Sequence, residues 1–223
     1  MQTLLLVDDH HVLYRSGTRR VLHSPTRYEG NPVVAPDTPW DGAIAWTNII
    51  RDAKTGKYQI WYQAFAGSDA PVPQCMTCYA ESDDGLNFTK PQLGVFAFGE
   101  HDKTNIVMVG NAGRSFRYSN AAVVDERDPD PAKRYKMADF DFSTHDGEEY
   151  PGLHVAFSPD GIHWTRPDIP MPRQRIAYGG LERNLPVKGE PGTQWCIPLT
   201  LSDTKDVFWD EPRGVFADYG KMW

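Results

Sequence analysis

A ten-residue pattern occurs twice in this chain and constrains its fold more than any other feature. Ser82-Asp83-Asp84-Gly85-Leu86-Asn87-Phe88-Thr89-Lys90-Pro91 matches Ser158-Pro159-Asp160-Gly161-Ile162-His163-Trp164-Thr165-Arg166-Pro167, 76 residues further on. Both copies read S-x-D-G-x-x-(F/W)-T-(K/R)-P, and each follows a short apolar stretch. Asp-Gly favours a tight turn with positive φ, and the aromatic residue anchors the returning chain. Self-similarity at a fixed period marks one structural unit used more than once.

The front half of the unit occurs three times. Asn48 to Asp52 leads through Thr55-Gly56-Lys57 to Tyr58 to Tyr62. Ala122 to Asp125 leads through Asp128-Pro129-Asp130-Pro131 to Arg134 to Ala138, and Asp206 to Asp210 leads through Pro212-Arg213-Gly214 to Val215 to Tyr219. Each reads as strand, acidic turn, strand, which is a hairpin. A hairpin, a variable loop and a second hairpin closed by S-x-D-G make four antiparallel strands, the composition of a propeller blade. The expected fold is all-β and of the five-bladed β-propeller type. A lead-in covers residues 1–41 and a partial propeller residues 42–223. Blade one spans about 42–92, blade two about 118–168, and blade three starts near 200. At this period 223 residues hold about two and a half blades, so a chain truncated within its third blade is expected.

Composition narrows the partners. A formal net charge of −7 with no basic run argues against nucleic acid and against a polybasic membrane anchor. Leu4-Leu5-Leu6-Val7 is too short for a signal-peptide core or a membrane span, so a cytoplasmic protein is expected. Cys75 and Cys78 have C-x-x-C spacing, but Cys196 alone supplies no second zinc half-site, and residues three apart in a strand face opposite ways. They read as packing cysteines. Residues 4–22, with Asp8 and Asp9 and a later Asp52, resemble the start of a response-regulator receiver domain. The aromatic strand that follows Asp52, where a receiver needs alternating helices, argues against it.

The chain from about residue 25 onward resembles the five-bladed propeller glycosidases, the broad group of glycoside hydrolase families 32, 43, 62 and 68 and the related family 130. The residues that carry the likeness are Arg27 and Gly30-Asn31-Pro32-Val33, the Lys-Tyr-x-x-Trp-Tyr core of 57–62, the two S-x-D-G turns, and Asp206-Val207-Phe208-Trp209-Asp210. The invertase-type Asn-Asp-Pro-Asn-Gly start and a Glu-Cys acid motif are absent. Arg127-Asp128-Pro129 imitates an invertase motif but falls in a hairpin turn. The resemblance implies an active site at one mouth of a central channel, with carboxylates from different blades protonating the leaving oxygen and activating water.

On that implication Asp41, opening the first inner strand, is the candidate base, and Asp203 and Asp206, opening the inner strand of blade three, are candidate acids. Asp139 and Asp141, two apart and so on one face, with Trp40 and Trp46, are candidates for substrate binding. The alternatives are turn and strand-entry aspartates, edge charges, and buried blade aromatics, among which Trp61 also falls. Glu81 and His154 sit in third strands and read as structural. Asp52, Asp125 and Asp210 lie at the opposite end and read as inert. No cofactor is expected, although the acidic stretch 141–149 has oxygen ligands for calcium in a pattern that departs from the EF-hand. The expected activity is inverting glycoside hydrolysis on a carbohydrate substrate. The alternatives are a non-catalytic propeller that binds carbohydrate or protein, and a phosphorylase.

Overall fold

The computed structural model describes residues 12–14, 16–110, 118–145, 148–166 and 201–222. Cys196, Asp8, Asp9 and the 169–199 segment lie outside them. The chain divides into two units, Met1–Asn31 and Pro32–Trp223. Described residues of the first form no regular element. Among the described residues of the second, nine strands make three antiparallel sheets. Strands β1 (Ala43–Arg51), β2 (Tyr58–Phe65), β3 (Cys75–Ser82) and β4 (Ile106–Met108) form the first sheet in that order. Strands β5 (Tyr118–Val124), β6 (Tyr135–His145) and β7 (Glu148–Ser158) form the second, and β8 (Leu201–Asp210) and β9 (Val215–Met222) the third. The first strands β1, β5 and β8 lie side by side, as in propeller blades, with the later strands of each sheet stepping outward.

The aromatic strand YQIWYQAF becomes β2, and both of its faces are covered, which explains its lack of alternation. One face carries Trp61, which with Tyr79 packs against Ala122, Tyr135, Met137 and Ala156 of the second sheet. The other carries Tyr62 and Ala64, under Trp40 and Phe98. Cys75 joins the first cluster and Cys78 the second, so the two thiols face opposite ways as packing residues.

The repeated turns match atom for atom. Ser82 Oγ accepts from the Asp84 and Gly85 amides, and Asp84 Oδ1 accepts from those of Leu86 and Asn87. Ser158 and Asp160 do the same for Asp160, Gly161, Ile162 and His163. The side chains of Asn87 and His163 each close on the second carboxylate oxygen. Gly85 and Gly161 have φ of 76° and 78°, the left-handed values that favour glycine. The expected fourth strands differ from those observed. Among the described residues, the chain returning from each turn pairs through single bridges, Glu81 with Thr89 and Phe157 with Thr165. The fourth strand of the first sheet is Ile106–Met108, beyond residue 92, because Pro91 ends the return before a ladder can form.

At the hairpin-turn end, the turn aspartates act between sheets. Asp52, 2% exposed, accepts from Arg134 of the second sheet at 2.7 Å and from the Tyr135 hydroxyl at 3.1 Å. Arg127, paired with Asp125, lies 3.4 Å from the ring centre of Trp209 in the third sheet. Burial opposes the charge on Asp52, but Arg134, the Lys54 amide and Tyr135 outweigh it and hold the carboxyl well below its usual range. A carboxyl depressed in the folded state stabilises above its unfolded pKa, 3.8, and the contribution is lost as pH falls through the folded value. Asp52→Asn should therefore cost on the order of 2 kcal/mol at neutral pH. Urea midpoints measured over pH should show the gap from wild type closing in acid, below about pH 4. A gap that stays constant would mean the latch contributes through shape and not charge.

Candidate active site

Between the first two sheets the facing side chains change character along the strands. Near the hairpin turns they are the Asp52 latch, and next comes the apolar layer around Trp61 and Met137. Towards the start of the inner strands they are polar. From the first sheet come Gln63 and Thr77, paired across the β2–β3 ladder and both 0% exposed. From the second come Asn120, Asp139 and His154, aligned across β5, β6 and β7 and likewise buried. Asp141 follows on the Asp139 face, opposite Gly152, which presents no side chain.

Arg166, the basic residue of the second repeat, joins this group. Its guanidinium reaches Asp139 at 3.2 Å through one terminal nitrogen and Asp141 at 3.0 Å through the other. Lys90, its counterpart in the first repeat, bonds Asp41 at 2.6 Å. The cation of the motif therefore does more than follow a turn, because in each copy it neutralises buried carboxylate on its own sheet. His154 has its pKa lowered, mainly by burial and also by Arg166, with Asp141 opposing, so the ring is neutral at neutral pH.

Backbone irregularity concentrates at the same end. The β1–β2 register slips between Ala45 and Asn48, the β5–β6 register between Tyr118 and Asn120, and the β8–β9 register between Leu201 and Lys205. In the β1 bulge Trp46 has φ of 42°, a left-handed conformation uncommon for a tryptophan. Bulges and such residues gather beside functional sites, where they re-aim a side chain. The half-buried Trp46 ring lies 5.8 Å from Phe65, on the side facing the second sheet.

The sequence-derived residues therefore separate. Asp139, Asp141 and Trp46 share the face between the first two sheets. Asp41 lies on the other face of the first sheet, 0% exposed. Its Oδ1 accepts from the Asp37 and Thr38 amides, and its Oδ2 from Lys90 and the Tyr62 hydroxyl. That is the geometry of a carboxylate anchoring the lead-in to the blade. Trp40 does not offer a ring to solvent: it is 7% exposed, donates to Asn105 at 2.8 Å and packs on Phe98 and His101. Trp61, 0% exposed, is likewise core. Asp206 is exposed on β8 opposite Tyr219, and Asp203 falls in the β8 register slip. His154, read as structural in the sequence, is opposite Asp139, on strands that extend to His145 and from Glu148 into a stretch that reads as a loop in the sequence. Residues 146–147 lie outside those described. Among those described, no three His, Cys, Asp or Glu side chains are grouped to hold a metal ion. Nor is any helix among them long and apolar enough to cross a membrane.

Sheets stepping outward from adjacent inner strands, with a buried polar cluster between the first two, define a propeller-like all-β protein. No protein-family model matches the sequence, and no curated protein matches it significantly. Solved structures do match in backbone. An N-acetylgalactosamine deacetylase from F. plautii, solved with blood group B trisaccharide, aligns with 87% of this chain and 50% of its own, at 13% identity and a TM-score of 0.50. That likeness is one of fold. A glycosyl hydrolase from Bacteroides ovatus aligns over 63% of this chain and 39% of its own, at 20% identity and TM-score 0.41. A structure from the GH130 family of mannoside phosphorylases, which contains glycoside hydrolases that target β-1,2 mannosidic linkages in Candida mannan, aligns over 85% and 50%, at 16% identity and TM-score 0.44. The chain spans half or less of the length of each.

Proposed function

We propose that this chain processes glycosides, with the polar cluster between its first two sheets as part of the sugar site. The observation that carries the reading is the pair Asp139 and Asp141, 0% and 3% exposed, spanned by the one guanidinium of Arg166, with the half-buried Trp46 on the facing side of the first sheet. Planar polar groups that bond vicinal hydroxyls, next to a ring that takes the apolar face of a sugar, suit a carbohydrate. For hydrolysis, one carboxyl protonates the glycosidic oxygen and a second activates water. In this reading Asp139 or Asp141 is one of them, and the second comes from Asp203 or Asp206, on the inner strand β8 that adjoins β5. Asp41 then serves as the anchor described above. Arg166 spanning both carboxylates also supports a second reading, a propeller that binds carbohydrate without turnover.

A panel of aryl glycosides and polysaccharides, incubated with the purified protein with and without phosphate, separates these. Sugar release independent of phosphate supports hydrolysis, and release that requires phosphate makes the protein a phosphorylase. Binding without release leaves the non-catalytic reading, and neither binding nor release removes the carbohydrate assignment.

A further inference from the structure

We infer that a pocket on the far side of the first sheet, away from the Asp139 and Arg166 cluster, binds a small organic ammonium. The pocket has a volume of about 410 Å³ and lies between the lead-in segment 33–38 and the chain returning from the first S-x-D-G turn, 88–90. Both stretches belong to the second unit. Val34 and Phe88 pack against the apolar cluster around Tyr62 and Trp40, on the face opposite the one that meets the second sheet. The inference is independent of the carbohydrate reading above.

The hydrogen bonds around the pocket select the ligand. Lys90 lines it, but the three N–H groups of its ammonium already have three acceptors: Ala35 O at 2.6 Å, Asp41 Oδ2 at 2.6 Å, and Asp37 Oδ1. No donor is left on it for an anion. Asp41 is buried, and the Asp37 and Thr38 amides, Lys90 and the Tyr62 hydroxyl occupy both of its oxygens. Asp37 differs. Its side chain is 66% exposed, Lys90 takes Oδ1, and among the described residues Oδ2 has no partner. The hydroxyl of Thr38, in the same wall, has none either. The pocket therefore offers an open acceptor and no open cationic donor. Two carboxylates share one ammonium, so this group of three carries one net negative charge. Val33, Val34 and Phe88 add apolar walls, and an aromatic side chain favours a cation as well as an apolar stem. An ammonium donates hydrogen bonds and is positive, so it answers both the open Asp37 oxygen and the net charge. An alcohol answers only the first, and a carboxylate or phosphate neither.

Ligand-observed NMR and calorimetry on the whole chain at neutral pH test this with n-butylammonium, and with 1-butanol and butyrate as matched neutral and anionic probes. The expected result is that butylammonium binds and that butanol and butyrate bind at least about tenfold more weakly. A chain of formal net charge −7 attracts cations over its whole surface, so a variant has to locate the site. Asp37→Asn should weaken butylammonium binding about tenfold. Its thermal transition should stay close to wild type, because Lys90 keeps Asp41 and Ala35 O. Two further probes separate the sources of such a group: methyl glucosaminide carries the ammonium on a sugar, and acetyl-lysine methylamide on a peptide side chain. Binding of either that depends on Asp37 supports the inference, and the tighter of the two names the source. Butanol binding as tightly as butylammonium, equal binding to wild type and Asp37→Asn, or no binding of any ammonium overturns the inference and leaves the carbohydrate reading untouched. The wild-type ratio of butylammonium to butanol decides the matter alone if the variant does not fold.

Discussion

Gly161→Ala should lower the melting temperature by roughly 10 °C, whereas Gly85→Ala, the same change in the other repeat, should lower it by much less. Both glycines have a left-handed φ, so both substitutions incur the same backbone strain. They differ in what the added methyl meets. At Gly161 a Cβ would stand 2.6 Å from Trp61 Cζ2, and at Gly85 3.2 Å from Tyr58 Cζ. Trp61 cannot yield. It is 0% exposed, its Nε1 donates to Gly161 O at 2.7 Å, and its ring packs on Tyr79, Tyr135 and Trp164. Overpacking a contact of this kind costs about 3 kcal/mol. It would separate the first two sheets in the apolar layer that adjoins the candidate site. Thermal unfolding followed by circular dichroism measures the difference. Equal losses for the two variants would mean that the turn strain matters and the inter-sheet contact does not.

The same two turns show what a sequence can reveal. The S-x-D-G pattern and the apolar-acidic-apolar hairpins are local signals, since a Ser hydroxyl and an Asp carboxylate satisfy amides within five residues of themselves. Local bonds leave local traces, so the turns, the all-β class and the hairpins at 48–62, 122–138 and 206–219 are legible. The fourth strand is not. Ile106–Met108 is three residues long and pairs with Thr77 and Cys78 across an irregular connection, so no periodicity announces it. The extension of β6 to His145 and of β7 back to Glu148 is hidden by acidic and polar residues that read as loop.

The site is half legible for a related reason. Asp139 and Asp141 stand two apart on a strand, so their common face follows from backbone geometry. Trp46 can be named as an aromatic but not as the residue in a bulge. Arg166 is in view as the K/R of the motif, and its recurrence as Lys90 hints at a role beyond the turn. Its partners can be found only by knowing that the returning chain bridges to β7, which brings the Arg166 guanidinium within reach of β6. Thr77, Asn120 and His154 carry no motif. They matter because sheet pairing aligns them, and pairing partners are remote in sequence. Asp41 shows the converse: its position before β1 suggests a mouth residue, while its bonds to Lys90 and to the lead-in amides turn it into the other face.

If the proposed hydrolysis runs through this cluster, Asp139→Asn or Asp141→Asn should reduce sugar release by a factor of about 10² to 10⁴ without unfolding the protein. Asparagine keeps the size and one acceptor oxygen, so the bond to Arg166 and the strand pairing survive, while the charge that activates water or shares a proton is lost. Because one guanidinium joins the two carboxylates, they should act as a unit. The double variant should then be little worse than the more damaging single one, where independent sites would multiply. Asp41→Asn supplies the control. It breaks a buried pair with Lys90, and the loss should appear in the melting temperature, with turnover per folded molecule close to wild type. Rates for the wild type and these variants on the same glycoside, corrected for the folded fraction, give the comparison. A silent Asp139→Asn beside an inactive but fully folded Asp41→Asn would move the chemistry to the opposite face of the first sheet.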